Sequence, residues 1–236
     1  MLDENSAEYD PQSQKFNLVP GDTIIALGRY NGEQNGLMVI AGEFSINLTG
    51  LDCPELFRAE FEIVRHGIGG PIINRYGEVI GITFYCASLT PFLPINLISL
   101  WWEQFKNKGH CLLPRLGMEL SNLYLWDIAF LESVIKRFPN VFQGVVVEEI
   151  ESNGSSTALS ENDVIIECDG KPIQNVLEFF ELIWDKVGYP VDLTVLRPSD
   201  GTHLNVTMVV GNVGPNETNR WPFPKRNLGR HRKLCN

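Results

Sequence analysis

The sequence predicts a mainly β protein in which a small barrel of about six strands is followed by an α+β domain. About six short runs of β-forming residues fall between residues 23 and 95, with turn signals at the spacing of a small barrel. Residues 96–108 have helical periodicity and precede Gly109, which makes them the natural boundary between two domains. We therefore expect a disordered lead-in at 1–17, a barrel at 18–95, a linker helix at 96–109, a second domain at 110–211 and a basic disordered tail at 212–236.

The predicted barrel begins after the turn Pro20-Gly21-Asp22, where Thr23–Tyr30 is rich in β-formers. Apolar runs on both sides of Arg75-Tyr76-Gly77 indicate two strands joined by a hairpin turn. The other predicted strands are Gly36–Ile46, Leu56–Val64 and Phe92–Ile95.

The linker helix has Asn96 or Ser99 as its cap and one apolar face, and we expect its paired tryptophans, Trp101 and Trp102, to pack rather than to form a ligand platform. That face consists of Leu97, Leu100, Trp101 and Phe105. A second helix is predicted in the insert Trp126–Phe138.

The second domain continues with a strand at Phe142–Ile150 and another around Asn162–Ile173. Asn175 has Glu178 three positions later, which is a capping box at the start of a helix. The predicted core stripe of that helix is Val176, Phe179, Phe180, Ile183 and Val187. Val191–Arg197 and Leu204–Val210, joined by a turn at 198–201, close the sheet as a hairpin.

Composition and charge exclude several classes of protein. With 44% hydrophobic and 20% charged residues, the chain of 236 residues is neither fibrous nor disordered as a whole. The net charge is −10, and residues 220–236 hold six Lys or Arg and no acid, so the remainder carries −16. An acidic body disfavours nucleic acid as the main ligand. The basic tail is open to three interpretations: a nuclear-import signal, an RNA or membrane contact, or a solvated end.

No apolar run reaches the roughly 18 residues that span a bilayer, and residues 1–20 lack the apolar core of a signal peptide. We therefore expect no membrane span and an intracellular protein, cytoplasmic or, because of the basic tail, nuclear. The five cysteines are odd in number and contain no Cys-x-x-Cys, which argues against a disulfide framework and a zinc site. We expect no cofactor and no metal.

The stretch His66-Gly67-Ile68-Gly69-Gly70-Pro71, followed by the Gly77–Ile82 strand, resembles the nucleophile loop of trypsin-like serine proteases of the HtrA/DegP (Do-like) family, Gly-Asn/Asp-Ser-Gly-Gly-Pro. Gly21–Gly28 and Phe92–Ile95 resemble the opening and closing strands of the second barrel of that family. Arg115–Met118 resembles the x-Φ-Gly-Φ loop of PDZ domains, and Asn162–Ile173 a second PDZ motif, with Asn162 in place of the usual glycine. The resemblance covers residues 20–210 and implies a trypsin-like second barrel followed by a PDZ-like domain.

The same resemblance implies that proteolytic chemistry is lost. Ile68 stands where the family has its serine, and His66 stands where it has the leading glycine, so His66–Gly70 is a degenerate nucleophile loop. In the family the base and the carboxylate come from a first barrel, and only about twenty residues, without histidine, precede Gly21. Two alternatives stay open: His66 is a relocated base or metal ligand rather than a turn residue, and Cys86 is a substitute nucleophile rather than a buried thiol.

PDZ recognition needs no catalytic atom, since backbone amides hold the ligand's C-terminal carboxylate. The resemblance assigns this role to Leu116, Gly117 and Met118, with the strand to Leu120 pairing with the ligand and the helix that begins at Val176 as the other wall. Leu177 is the predicted wall residue, and Arg115 either supplements the anion site or is solvated. A groove that is closed, or used for internal packing, is the alternative.

Three functions follow as hypotheses. The first is a non-catalytic HtrA-like protein that binds peptide or protein C-termini. The second is a serine endopeptidase of which this chain is a fragment or a divergent form. The third is a regulatory or structural subunit that forms homo-oligomers, or hetero-oligomers with intact relatives, through an apolar barrel face.

Overall fold

The computed structural model describes residues 18–30, 36–45, 55–86, 88–151 and 158–213, and every structural statement concerns these residues. The predicted lead-in at 1–17 and most of the predicted tail, from residue 214 onward, lie outside them. The chain divides into two compact units, one of residues 1–45 and 59–98 and one of residues 46–58 and 99–236. Within the described ranges, no helix combines the length and the apolar character that crossing a membrane requires.

Six strands form a closed antiparallel barrel with the order β1-β2-β3-β6-β5-β4. This confirms the predicted six-stranded barrel. The strands are β1 Thr23–Arg29, β2 Leu37–Ser45, β3 Phe57–Ala59, β4 Pro71–Asn74, β5 Val79–Thr83 and β6 Thr90–Pro94.

The strand predicted at Leu56–Val64 is much shorter than expected, since only Phe57–Ala59 pairs as β3. The amide of Glu60 still donates to the carbonyl of Glu43 in β2 at 2.9 Å, but one residue further the carbonyl of Phe61 accepts from the hydroxyl of Thr90 at 2.7 Å. A side chain thus takes over a backbone acceptor that a continued strand would have paired.

Alternate residues of the barrel strands form its core, as the period of two requires. Ile24, Ala26, Ile72 and Phe92 are fully buried. The predicted hairpin turn between β4 and β5 is present, with Gly77 at φ 84°. Its geometry is held by Asn74, whose side-chain oxygen accepts from the backbone amides two and four residues later, both at 3.0 Å.

Helix α1 spans Ile95–Lys108 and ends at Gly109, which has φ 71°. The prediction that Trp101 and Phe105 lie on a buried face is wrong, because they are 41% and 44% exposed and their rings stack on each other at 6.0 Å. Gln104 is buried instead: its amide nitrogen donates to the carbonyl of Trp184 at 2.8 Å, and its oxygen accepts from the amide of Leu112 at 3.2 Å. A polar side chain with both ends satisfied is stable in that position.

The second unit is built on an antiparallel sheet with the order β13-β12-β10-β9-β8, to which the short β11 adds beside β10, and on a separate pair, β14-β7. Its helices are α2, Ile128–Arg137, and α3, Val176–Ile183. The strands are β7 Pro114–Arg115, β8 Met118–Asn122, β9 Val145–Ile150, β10 Val164–Cys168, β11 Lys171–Pro172, β12 Pro190–Arg197, β13 Thr202–Val209 and β14 Gly211–Asn212.

Helix α3 has the predicted cap. The side chain of Asn175 accepts from the amide of Glu178 at 3.0 Å, and the carboxylate of Glu178 accepts from the amide of Gln174 at 2.9 Å. The helix is shorter than predicted, since it ends at Ile183 and leaves Val187 half-buried in the following turn.

The inserted helix α2 covers one face of the sheet. One residue from each of four neighbouring strands is paired in register with the next, so the four side chains point to the same face. They are Ser121, Val146, Val164 and Leu196. The last three of them form a buried cluster with Leu123 and two residues of the insert, Val134 and Phe138. Because side chains alternate along β8, Met118, Leu120 and Asn122 point to the opposite face.

Candidate functional site

The loop His66–Gly70 is packed tightly into the barrel wall. It contains a 3-10 turn at Arg65–Gly67, and a Cβ atom at Gly70 would lie only 2.1 Å from the carbonyl oxygen of Leu27. The hydroxyl of Thr83 donates to the carbonyls of Gly67 and Gly70, at 2.7 and 3.0 Å. The glycines that shape a nucleophile loop are thus still required by the backbone of this chain.

That loop lacks the chemical groups of a nucleophile loop, although it keeps the glycines. Ile68 is 42% exposed and offers only hydrocarbon where the resemblance places a serine hydroxyl. Each of the four amides from Gly67 to Gly70 donates to a carbonyl of the chain, at 2.9, 3.4, 2.9 and 2.9 Å in order. An oxyanion site needs amides that converge on open space, which these four do not do.

The surroundings of His66 and Cys86 are given by the described residues. His66 is exposed, and its ring lies 4.9 Å from the ring of Tyr30 at an angle of 56°. Cys86 is a half-buried free thiol. Among the described residues, no group of three or more His, Cys, Asp or Glu side chains is arranged to hold a metal ion.

The loop Arg115–Met118 joins β7 to β8. Leu116 is buried, and Gly117 has φ 67°, a left-handed conformation that favours glycine. The guanidinium of Arg115 lies 2.5 Å from the carboxylate of Glu151, and both side chains are partly exposed. Arg115 is therefore ion-paired with the protein itself, a contact that neither of the two predicted interpretations includes.

β8 is an edge strand, and its hydrogen bonds show which groups are directed outward. The amide of Glu151 donates to the carbonyl of Gly117 at 2.9 Å, so Gly117 is bonded to the β9 side. In an antiparallel ladder, successive residues alternate between bonding one neighbour and the other. The amide and carbonyl of Met118 consequently point away from β9, to the edge that no described strand occupies.

Two residues after Met118, the backbone groups of Leu120 also point to the free edge. Leu120 is opposite Val147, and both backbone groups of Val147 are used on the β10 side: its amide donates to Asp163 and its carbonyl accepts from Asn162. Leu120 therefore also presents its amide and carbonyl to the free edge. An extended peptide could add there as a further strand.

Helix α3 is tied to the far end of this edge by a residue that the sequence analysis missed. The side-chain oxygen of Asn122 accepts from the amide of Val176, the first residue of α3, at 2.7 Å. Its side-chain nitrogen donates to the hydroxyl of Tyr124 at 2.9 Å. Leu177, the predicted wall residue, follows directly and is half-buried. An asparagine at the end of a strand was the available signal, but its partner lies 54 residues away.

The predicted binding residues thus fall into two neighbouring elements, with Arg115–Leu120 at the β7–β8 edge and Leu177 in the first turn of α3. The inserted helix packs on the sheet face opposite to Leu120 and Asn122, and its cluster contains no α3 residue within the described part of the chain. The insert therefore does not form a wall of this groove.

The chain forms a closed antiparallel barrel that keeps a Gly-Gly-Pro loop, and then a sheet with an open edge strand beside a helix. This combination defines a protease-like barrel joined to a PDZ-type domain. The family model for the PDZ domain matches residues 114–210. "Putative protease Do-like 14" of Arabidopsis thaliana is 29% identical over 191 residues, which are 76% of this chain and 43% of that protein. "Serine protease HtrA-like" of Staphylococcus aureus (strain MRSA252) is 28% identical over 148 residues, 59% of this chain and 19% of that protein.

The solved structure of the HtrA-type protease AlgW with a tripeptide has the same fold, with a TM-score of 0.53 at 22% identity, covering 84% of this chain and 67% of that one. This chain is thus similar to HtrA/Do-like serine proteases, and its residues 114–210 match the PDZ domain. It spans less than half the length of the two curated relatives.

Proposed function

We propose that this chain binds the C-terminal segments of peptides or proteins in the groove between β8 and α3, and that its barrel is a non-catalytic scaffold. The observation that carries the proposal is the outward direction of the backbone groups of Met118 and Leu120 on an edge strand. An HtrA-type relative of the same fold has been solved with a tripeptide, which supports the same use of the fold.

The roles follow from the geometry of the groove. The amides of Leu116, Gly117 and Met118 receive the terminal carboxylate, because the left-handed conformation of Gly117 lets neighbouring amides converge. The ligand runs antiparallel to β8, with its last residue opposite Met118 and its third-last opposite Leu120. Leu177 contacts the ligand from α3, and Arg115 supports the loop through Glu151.

The domain arrangement belongs to the same proposal: a scaffold barrel at 18–95, a linker helix at 96–109 and the binding domain at 110–211. Assembly with further copies or with intact relatives would bring such a domain to proteases that retain their chemistry.

Binding is tested with pools of fluorescein-labelled octapeptides that carry either a free C-terminal carboxylate or an amide. We expect saturable binding of the carboxylate pool and about tenfold weaker binding of the amide pool, since a hydrogen-bonded charge is lost. Gly117→Val should weaken binding similarly. Gly170→Val is the matched control, because Gly170 has φ 71° in the turn between β10 and β11 and imposes the same kind of backbone strain. Equal binding of both pools would overturn the proposal.

The non-catalytic assignment is tested separately, with fluorescent casein. We expect no turnover by the wild-type chain and none by Ile68→Ser, because the amides of Gly67–Gly70 already donate to carbonyls of the chain and form no oxyanion site. Turnover that survives repurification and is blocked by a serine-protease inhibitor would instead support the endopeptidase alternative.

A further inference from the structure

The sheet of the second unit has another free edge, on the side opposite to β8. Strand β13 pairs with β12 over its full length, Thr202–Val209, without a register shift, and no described strand lies on its other side. Natural proteins usually protect such an edge with a short strand, a bulge, a proline or a charged side chain. β13 is regular over eight residues and includes no Pro, Lys, Arg, Asp or Glu. An unprotected edge of this kind is suited to pairing with a further strand.

Hydrogen bonds of the neighbouring strand show which groups of β13 point outward. Thr207 is opposite Asp192, whose carbonyl accepts from the amide of Asp169 at 2.7 Å and whose amide donates to the Asp169 carboxylate at 2.8 Å. Both backbone groups of Asp192 are thus used on the β10 side, so those of Thr207 point to the free edge. The amide of Val210 donates to the carbonyl of Tyr189, just before β12, which fits the same alternation. The other residues with outward backbone groups are therefore His203, Asn205 and Val209.

One antiparallel register lets a second copy of β13 use all of these outward groups. In a two-fold pair centred on Val206, His203 lies opposite Val209 of the second copy, and Asn205 lies opposite Thr207. The four pairs that result are of the hydrogen-bonded kind, with two bonds each, which gives about eight hydrogen bonds between the copies. The free edge is therefore complementary to itself.

The side chains that this register brings together place no like charges opposite each other. Asn205 and Thr207 are exposed and uncharged, and Val209, which is 49% exposed, is covered by His203 of the second copy. Because the chain has a net charge of −10, two copies approach closely only where neither carries an acid. A basic strand would find no carboxylate on β13 with which to pair, so the edge favours a second copy over such a partner.

We propose that two copies of this chain associate by antiparallel pairing of their β13 strands, which joins their two sheets into one. The association does not require peptide binding, and it leaves both β8 strands at the outer ends of the joined sheet. With neighbouring strands about 4.8 Å apart, the two β8 strands lie about 40 Å from each other. A partner that displays two C-termini at that spacing would gain affinity by binding both grooves, a consequence that rests on the proposed function.

Sedimentation velocity of the full chain over a concentration series tests the association. A single strand pair is a small interface, so we expect a reversible dimer that is half-formed at about 10–100 µM. The affinity should rise as salt is added, because salt screens the repulsion between two chains that each carry −10.

A proline at the edge tests the surface. Asn205→Pro removes an outward amide without removing a hydrogen bond to β12, and it should weaken the dimer at least about tenfold. Asn205→Ala is the matched control, because it keeps the amide and should dimerise within about twofold of the wild type.

Hydrogen exchange of the wild-type chain gives a measurement that does not depend on the folding of a variant. The amides of Asn205 and Thr207 should become protected as the concentration rises. The amides of Val206 and Met208, which bond to β12, should be protected at every concentration.

Three results would overturn the proposal. The first is a chain that stays monomeric up to about 200 µM, well above the expected midpoint. The second is a dimer that Asn205→Pro leaves unchanged, because another surface, such as the apolar barrel face, would then hold it. The third is protection of the Asn205 and Thr207 amides at every dilution, because the edge would then be occupied within one chain. None of these results bears on peptide binding at β8, which the carboxylate and amide pools test separately.

Discussion

Replacing Asn122 by alanine tests whether β8 and α3 form one rigid groove. The side-chain oxygen of Asn122 accepts from the amide of Val176, the first residue of α3, at 2.7 Å. A partly buried amide left without an acceptor costs about 1–3 kcal/mol, and loss of a helix cap costs about 1 kcal/mol. We therefore expect Asn122→Ala to lower the free energy of unfolding by about 1–2 kcal/mol.

Asn122→Asp is the matched rescue, because it keeps the acceptor oxygen and places a negative charge at the N-terminus of α3. A carboxylate at that position is worth about 0.3–1 kcal/mol, so this variant should equal or slightly exceed the wild type. Urea denaturation followed by tryptophan fluorescence measures the differences. For a unit of about 100 residues the alanine variant should also melt about 4–8 °C lower per kcal/mol lost.

A spectroscopic signature distinguishes this mechanism from a general packing defect. Burial raises the pKa of Tyr124, and the hydrogen bond from Asn122 partly lowers that pKa again. Asn122→Ala should therefore raise the pKa of Tyr124 further, which titration of tyrosinate absorbance detects. Surface substitutions that remove no specific contact change the free energy of unfolding by about ±0.5 kcal/mol. An alanine variant whose free energy of unfolding lies within about 0.5 kcal/mol of the wild type would therefore refute the reasoning. So would an aspartate variant that is destabilised as much as the alanine variant.

Three further predictions concern stability. Arg197→Met should lower the free energy of unfolding by about 3 kcal/mol in urea denaturation, because Arg197 donates two hydrogen bonds, at 2.8 and 2.7 Å, to the buried carboxylate of Asp163. A loss below about 1 kcal/mol would contradict this prediction. Burial raises the pKa of the Cys168 thiol from 9.0 to about 11. The contribution of the neutral thiol to the free energy of unfolding is therefore complete below pH 9.0 and is lost as the pH rises to about 11, by at most about 2–3 kcal/mol. The free energy of unfolding of Cys168→Ala, measured in a pH series, should not show this decline. Gly70→Ala should cost at least about 2 kcal/mol in thermal unfolding, since its Cβ would overlap the carbonyl of Leu27; an unchanged melting temperature would exclude the contact.

Local patterns were sufficient to predict much of the fold. Alternating β-formers, glycine turns and the capping box at Asn175 are short-range signals, and they correctly predicted the six-stranded barrel and the start of α3. The Gly-Gly-Pro stretch was identified as a degenerate nucleophile loop by resemblance alone, and only the structure shows that a Cβ at Gly70 would overlap the carbonyl of Leu27.

Long-range partners decided the features that the sequence could not reveal. Helical periodicity assigned Trp101 to a buried face, but the bonds of Gln104 to Trp184 and Leu112 turn that polar residue inward instead. The pairing of Glu119 with Glu149 depends on a strand register that includes a bulge between them and the next pair, and no local pattern encodes it.

The assignment of β8 as the peptide-binding edge predicts an alternating pattern of amide protection, which hydrogen exchange monitored by NMR can read residue by residue. When the octapeptide pool with a free C-terminal carboxylate saturates the protein, the amides of Met118 and Leu120 should become protected, because they point to the free edge. The amides of Glu119 and Ser121, which lie on the β9 side, should change little. Uniform changes along β8, or none at saturation, would contradict strand addition at this edge.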